Sequence, residues 1–449
     1  MRDLSGTIAA EATPPGRGSI RIVRLSGPEA VPLLKSLFVP QGPLPWERPR
    51  RLCLGAVRAP GEGILDRALA VYFRGPDSLT GEDVVELQVH GAPGVVRGVL
   101  DLLGAGGARM ALPGEFSYRA FLNGKLSVME AEAVNALVDA ETEGQAAGLA
   151  GGLGRGIEGQ LRDMLDEVLD LRAGWEAGID FPEDVGEVAL AGLLEHLRSM
   201  AGQMEGLLRA APALRYLREG WRLALVGPVN SGKSSLFNAL LKRERALVTP
   251  HPGTTRDVLE ESVQIGRYPL ILMDTAGVRT TSDPVERLGV ERGLSAASMA
   301  DGAVLVFDGR KGWGQEEEAL LGRLNQTPVA IVANKADLGI QAGHRPDDTV
   351  SVSAVTGAGL ESLSGRLGAW MEEAAPKGRE VLSSERQVET LRGALAGCLW
   401  ALKTAEEGGG EDLACEGLVE AQRALEACIT GGSVEDLYDR IFSRFCIGK

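Results

Sequence analysis

The sequence predicts a chain of mixed class: an N-terminal α+β domain, a helical domain in two halves, and a doubly wound α/β domain inserted between those halves. Three observations predict it. Short β-branched runs separated by Gly/Pro clusters fill the first stretch, to about Gly114. Helical periodicity then dominates from about Phe116 to Arg215 and returns from Ser384 to Ile429. Between these lies a segment in which apolar strands alternate with helices, the signature of a parallel sheet covered on both faces. With 449 residues, a prior of roughly 150 per domain agrees with three domains.

In chain order, Ser19–Leu25, Ala68–Phe73 and Val84–Val89 alternate as strands do, and Pro93–Leu103 reads as a helix with proline in its first turn. Leu161, Met164, Leu165, Val168, Leu169 and Leu171 recur at about 3.6 residues, giving a long helix. The segment from Asp180 to Asp184 breaks this run, and Val188–Leu208 resumes it. In the inserted segment the strands are Arg222–Val226, Ile271–Met273, Ala303–Phe307 and Val329–Ala333. A last short helix is expected over Val434–Phe442. Because neither helical flank reads as a complete bundle, one helical domain split by an insertion is the economical organisation. The boundaries are 1–118, 119–218, 219–376 and 377–449.

Hydrophobic residues make up 44% and charged residues 24%, which excludes a largely disordered chain. No apolar run approaches the roughly 18 residues of a membrane span, and Met1–Ser19 lacks a signal peptide pattern, so a cytoplasmic protein with no membrane partner is expected. The five cysteines form no close pair and histidines number 4, which argues against disulfide and zinc frameworks. A net charge of −15 makes the whole surface a poor glove for nucleic acid; RNA would need a local patch or a partner. Only 9 of the 47 basic residues are lysine, so a lysine inside a motif carries weight, and Lys125, Lys233, Lys335 and Lys449 all fall in motifs.

The central motif is Gly227-Pro-Val-Asn-Ser-Gly232-Lys233-Ser234, which follows a strand and opens a helix near Ser235. Glycines there let backbone N–H groups of residues such as Asn230, Ser231 and Gly232 wrap phosphates, Lys233 adds a charge, and the Ser234 hydroxyl suits Mg²⁺. Asp274-Thr275-Ala276-Gly277 closes a strand, where Asp274 would hold a magnesium water and the Gly277 N–H would meet the γ-phosphate. Asn334-Lys335-Ala336-Asp337 follows VAIVA; its carboxylate accepts from the guanine ring N–H and amino group, a donor pair adenine lacks. Ser353-Ala354 closes on the base. Four such elements in this order predict a guanine-nucleotide domain of Ras-like type, using GTP rather than ATP. In Gly253-Thr254-Thr255-Arg256-Asp257, Thr255 is assigned to magnesium and Thr254 is the fallback; a polar surface turn is the plain alternative.

Two features imply unusual hydrolysis. Val278 stands where many related GTPases carry a water-orienting glutamine, so Glu286 becomes the candidate for that role, directly or through a second water. A solvated helix charge is the bland reading of Glu286. The Asn230 carbonyl is also placed to help coordinate a monovalent cation; potassium would then supply the positive charge that an arginine finger supplies elsewhere, with Arg256 and Arg279 as rivals.

These motifs, together with Ala12-Thr-Pro-Pro-Gly-Arg-Gly18, Thr80-Gly-Glu-Asp83, Glu86-Leu-Gln, Pro113-Gly-Glu-Phe, Phe121-Leu-Asn-Gly-Lys125-Leu, Asp180-Phe-Pro and the terminal Phe445-Cys-Ile-Gly-Lys449, resemble the bacterial tRNA modification GTPases called MnmE or TrmE. The resemblance covers the chain from residue 12 to its last residue. It implies an N-terminal folate-binding domain that also makes a homodimer, and an FAD-dependent partner (MnmG, or GidA) in a heterotetramer-like complex. It further implies installation of an aminomethyl or carboxymethylaminomethyl group at position 5 of the tRNA wobble uridine. Formyl-tetrahydrofolate binding maps to Arg24, Glu86, Lys125 and Lys449, and Cys446 resembles a functional cysteine of open role. Asn230 and Thr249 match the family's potassium loop, with His251 and Thr254 at its other positions. The phosphate loop departs modestly, reading Pro-Val-Asn-Ser where Arg-Pro-Asn-Ala is commoner. A GTP-dependent switch for RNA or ribosome assembly is the competing reading.

Overall fold

In a computed structural model the chain is described over residues 5–448, except 60, 62, 155, 181–186, 210, 247–258, 275–285, 325–326, 375–381, 409, 433–437 and 440. Two compact units result. One comprises Met1–Asn135, Gln160–Leu193 and Ala396–Lys449; the other comprises Ala136–Gly159 and Leu194–Leu395. No helix among the described residues is long and apolar enough to cross a membrane.

The first unit carries a seven-stranded sheet: β1 (Ile8–Glu11), β2 (Ile20–Ser26), β3 (Phe38–Pro40), β4 (Cys53–Ala59), β5 (Gly63–Phe73), β6 (Val84–His90) and β7 (Arg109–Met110), in the order β3-β4-β5-β6-β2-β1-β7. Every pairing is antiparallel except β1 with β7. The period-two pattern of β2 explains the packing. Val23 and Leu25 join Val85, Leu87 and Val89 of β6 in a core closed by the helices Ala30–Leu37 and Pro93–Ala105. The intervening residues, Arg24 on β2 and Glu86 on β6, stand opposite each other on the other face.

Two segments quoted above for family resemblance, Thr80–Asp83 and Pro113–Phe116, meet in one buried polar network. Glu115, fully buried, accepts from Arg109 (2.9 and 2.5 Å), Arg119 (3.1 Å) and the Leu112 amide (2.8 Å). Arg119 also donates to both oxygens of Glu82 at 3.0 and 3.1 Å and to the Gly6 carbonyl at 2.8 Å. Ser26 donates to Glu82 at 2.7 Å and lies 2.6 Å from the Thr80 hydroxyl. Burial by itself would raise the Glu115 pKa, but hydrogen bonds from Arg109, Leu112 and Arg119 outweigh it and hold the group below its ordinary value.

The same unit brings in the end of the chain. The helix Glu411–Thr430 and, from Ala396 on, the helix Glu385–Glu406 form where the second helical stretch was read, and the expected Val434–Phe442 helix lies partly outside the described residues. Tyr118, Tyr438 and Phe442 pack edge to face, and the Tyr438 hydroxyl donates to the Pro113 carbonyl at 2.6 Å. Phe445 extends the cluster.

The second unit contains the inserted sheet: β8 (Trp221–Val226), β9 (Arg245–Ala246), β10 (Leu259–Ile265), β11 (Tyr268–Asp274), β12 (Gly302–Asp308), β13 (Val329–Asn334) and β14 (Val350–Ser351). The order is β14-β13-β12-β8-β11-β10-β9. Strands β11, β8, β12, β13 and β14 are mutually parallel, as the apolar runs predict. Leu223, Leu225, Val304 and Val306 pack with helices Lys233–Arg243 and Leu360–Ala374 on one face, while Ala224, Val226, Ala303 and Leu305 pack on the other. The sheet differs from a purely parallel one at its edge, where β10 runs antiparallel to both β11 and β9. A two-residue turn of Gly266 and Arg267 makes the hairpin, and such a turn permits only the antiparallel pairing.

Glu115 yields a prediction with a defined sign. Its depressed pKa means stability that is present above the ordinary value of 4.5 and lost as pH falls through the folded value. Glu115→Gln should lose about 3 kcal/mol at pH 7, because it removes the buried anion that Arg109 and Arg119 share. In denaturant melts the gap from wild type should narrow toward pH 4. A gap that does not change with pH would contradict the assignment.

Candidate functional site

The phosphate loop joins β8 to the helix Lys233–Arg243. Two glycines have no substitute there. Gly227 has φ +155° and Gly232 φ +93°; a Cβ on the first would collide with the Val306 carbonyl oxygen, and on the second with the Asn334 amide. Asn230 also sits in the left-handed region, at φ +63°, which asparagine tolerates better than most residues.

The loop's carbonyl groups are taken by side chains. Lys233 Nζ donates to Gly227 O at 2.9 Å and Pro228 O at 2.8 Å. Lys335 Nζ donates to Asn230 O at 2.7 Å. Asn334 Nδ2 donates to Ser231 O at 3.0 Å and Gly232 O at 3.4 Å. Within the loop the Ser231 amide donates to the Pro228 carbonyl at 3.4 Å. With the carbonyls held, the loop and the positive dipole end of the adjoining helix together suit phosphate. Ser234 and Ser235 are exposed in the first turn of that helix, so the Ser234 hydroxyl is available to a metal.

The Asn334–Asp337 loop is built just as tightly. Asn334 is buried, and its Oδ1 accepts from the Lys335 amide at 2.8 Å and the Ala354 amide at 3.2 Å. Lys335 takes a left-handed turn, φ +65°, into a short 3₁₀ segment, Ala336–Leu338. That turn presents Asp337 at the surface, where buried Ser353 donates its hydroxyl to Asp337 Oδ1 at 2.6 Å. The structure thus brings Asn230, Ser231, Gly232, Lys233, Asn334, Lys335, Asp337, Ser353 and Ala354 into one constellation.

Asp274 ends β11 and Glu286 opens the helix Glu286–Met299, but their side chains lie outside the described residues. Thr249, His251, Thr254, Thr255, Thr275, Ala276, Gly277, Val278, Arg256, Arg279 and Lys449 lie outside them altogether.

Sequence reasoning missed Asp308, the last residue of β12. It accepts from Arg310 (3.0 and 2.7 Å) and from Lys335 Nζ (2.8 Å), so one carboxylate ties Lys335 to a neighbouring loop. The Arg310 guanidinium, with Lys335 beside it, holds the Asp308 carboxyl far below the ordinary carboxylate range against the opposing effect of burial. One signal pointed to it: an acid closing an all-apolar run at the carboxyl end of a central strand, where doubly wound sheets bind ligands.

In the first unit, Arg24 Nε donates to Glu86 at 2.9 Å and its Nη1 to the Gly448 carbonyl at 3.1 Å, with the guanidinium 5.7 Å from the Phe116 ring. Two of the four residues mapped to folate are therefore paired, and the C-terminal tail reaches them. Lys125 is exposed beside Gly81, whose Cβ would meet its stem at 3.4 Å. Cys446 is exposed and its carbonyl accepts from the Gly114 amide at 3.4 Å.

Residues 7–125 match the family model described as GTP-binding protein TrmE N-terminus, and residues 128–446 match the MnmE helical domain. The tRNA modification GTPase MnmE of Symbiobacterium thermophilum is 41% identical over 458 residues, covering 99% of each chain. Its counterparts in Moorella thermoacetica and in one Thermus thermophilus strain are each 42% identical, the first covering 99% of this chain and all of the relative, the second the full length of both. With both models matched in order and relatives aligned end to end, the chain belongs to the MnmE (TrmE) family of tRNA modification GTPases.

Proposed function

We propose that this chain is a potassium-stimulated GTPase that acts with an FAD-dependent partner to modify the wobble uridine of tRNA. The coarse part, a GTP hydrolase in tRNA modification, follows from family membership and the nucleotide-binding fold. The finer parts are the proposal. The observation that carries it is the phosphate loop, five of whose carbonyls are held by hydrogen bonds from Lys233, Asn334 and Lys335 at the N-terminus of the helix Lys233–Arg243.

In this reading Asn230 to Ser235 grip the phosphates, Asp337 reads the guanine, and Ser353 and Ala354 close the base pocket. Ser234 and Thr255 hold Mg²⁺, which would neutralise phosphate charge as the γ-phosphoryl leaves. Asp274 and the Thr275-Ala276-Gly277 segment sense the γ-phosphate, and Glu286 orients the attacking water. Potassium is held by Asn230 with backbone or side-chain oxygens of Thr249, His251 and Thr254. Its support is Asn230 itself, an exposed left-handed residue within the loop.

For the one-carbon chemistry, Arg24, Lys125 and Lys449 suit the carboxylates of 5-formyl-tetrahydrofolate, and Glu86 suits the pterin N–H groups. The pairing of Arg24 with Glu86 supports this: both face away from the core, and the tail carbonyl of Gly448 lies on the same guanidinium. Cys446 lies two residues before Gly448 on that tail and is exposed. The domains run 1–118, 119–218 with 377–449, and 219–376. The working species is a cytoplasmic homodimer bound to the flavoprotein MnmG (GidA) and tRNA.

The function is tested by mass spectrometry of tRNA wobble uridines after incubation with this protein, the flavoprotein, formyl-tetrahydrofolate and GTP. A carboxymethylaminomethyl or aminomethyl mass gain is expected in KCl, with little in NaCl of equal ionic strength and none without GTP. Equal product in both salts would remove the potassium role; no product in any would refute the assignment. Base reading has a separate test. Asp337→Asn should exchange guanine for xanthine preference, because the amide offers xanthine the donor that its extra carbonyl requires. Unaltered preference for GDP over XDP in fluorescence titrations would show that Asp337 does not read the base.

A further inference from the structure

Around the base-reading loop, two cations and two carboxylates share a small volume. Arg310 and Lys335 are the cations; Asp308 and Asp337 are the anions. The pairing is one-sided. Arg310 gives both Nε and Nη2 to Asp308, at 3.0 and 2.7 Å, and its own amide adds a third bond at 3.1 Å. Lys335 Nζ joins at 2.8 Å on the oxygen that Nη2 also uses. Asp337, two residues beyond Lys335, instead accepts from the neutral Ser353 hydroxyl.

Burial favours this distribution, because a buried carboxylate needs a counter-ion more than an exposed one does. The Arg310 side chain is 46% exposed and Asp337 lies at the surface, whereas the Asp308 side chain is only 6% exposed. Arg310 and Lys335 meet on one Asp308 oxygen, and Lys335 is two residues from Asp337; Asp308 raises the Arg310 pKa most and Asp337 adds to it. An arginine fork matches a carboxylate in the same bidentate geometry that the guanine N–H and amino group require. A guanidinium seated on Asp337 would therefore occupy the acceptors that select the base, and a full cation outcompetes a neutral donor pair for them.

We propose that Asp308 is a specificity-determining positioning residue: it is the counter-ion that draws Arg310 and Lys335 back from Asp337 and so keeps the base-reading carboxylate open to guanine. The inference rests on Asp337 reading the base. It adds that the selectivity of one carboxylate is protected by a second, buried one. Asp308 touches neither nucleotide nor reacting atoms in this role; it acts through Arg310.

The test is a rescue in the full-length protein, with a fluorescent GDP analogue as probe. Asp308→Asn should weaken GDP binding at least about tenfold, as expected when a charged competitor is released onto a recognition carboxylate. Adding Arg310→Ala should bring affinity back to within about threefold of wild type, while Arg310→Ala alone changes it less than about twofold. A merely structural role for Asp308 predicts the opposite, since deleting a second partner cannot repair a damaged loop. Undiminished affinity in Asp308→Asn, or no recovery in the double variant, overturns the proposal. Should Asp308→Asn fail to give a cooperative thermal melt, the double variant is compared with Arg310→Ala: similar affinity supports the counter-ion role and a tenfold or greater deficit refutes it. Asp337→Asn separates the two readings, because a switch to xanthine without rescue at Asp308 leaves base reading standing and removes only the counter-ion.

Discussion

The structure of the nucleotide site depends on one constraint: a peptide loop that is to bind anions must have its carbonyl oxygens occupied elsewhere. Carbonyls and amides alternate along any chain, so a loop exposing N–H groups exposes repulsive oxygens too unless something holds them. Here Asn334 and Lys335 hold the carbonyls of residues 230–232, and Lys233 holds those of residues 227 and 228. The Asn334–Asp337 segment is thereby a structural brace for the loop 227–234. That bracing explains why Asn334 is buried while Asp337, three residues further on, is exposed.

The brace has consequences for strain. Asn230 and Lys335 both adopt left-handed backbone conformations, and the Lys335 ammonium bonds the Asn230 carbonyl. A lysine in that region is disfavoured by sterics, so its place requires compensation from the surroundings. Asp308 supplies part of it by fixing the ammonium, and Asn334 Oδ1 supplies more by accepting the Lys335 amide. The loops are held by charge-assisted bonds between side chains and backbone, an arrangement stronger than neutral pairs.

Much of this was legible in the sequence because apolar periodicity reports faces directly. Runs such as Leu223–Val226 and Ala303–Phe307 could only be strands buried on both sides, and they are. The order of the motifs determined the domain type. The antiparallel edge was not legible: β10 carries Glu260 and Glu261 and β9 is two residues long, so neither stands out against a loop. Asp308 and the Glu115 network were missed for a shared reason. Each acid's nearest partners are local, but the links that join it to the rest of the fold, Lys335 to Asp308 and Arg119 to Glu82, come from positions 27 and 37 residues apart, and no local pattern encodes that register. Arg24 and Glu86 came from resemblance alone. The β2–β6 register, which sets them opposite each other on the polar face, supplies the physical reason afterwards.

The most direct measurement of the central constraint is amide hydrogen exchange across residues 227–234 in Asn334→Ala, read together with GDP affinity. If the Asn334 amide braces the loop, exchange there accelerates without change in the sheet core, and affinity falls by about tenfold or more, in keeping with loss of several buried hydrogen bonds. Exchange and affinity both equal to wild type would contradict the account, because the loop would then hold its shape with the Ser231 and Gly232 carbonyls released.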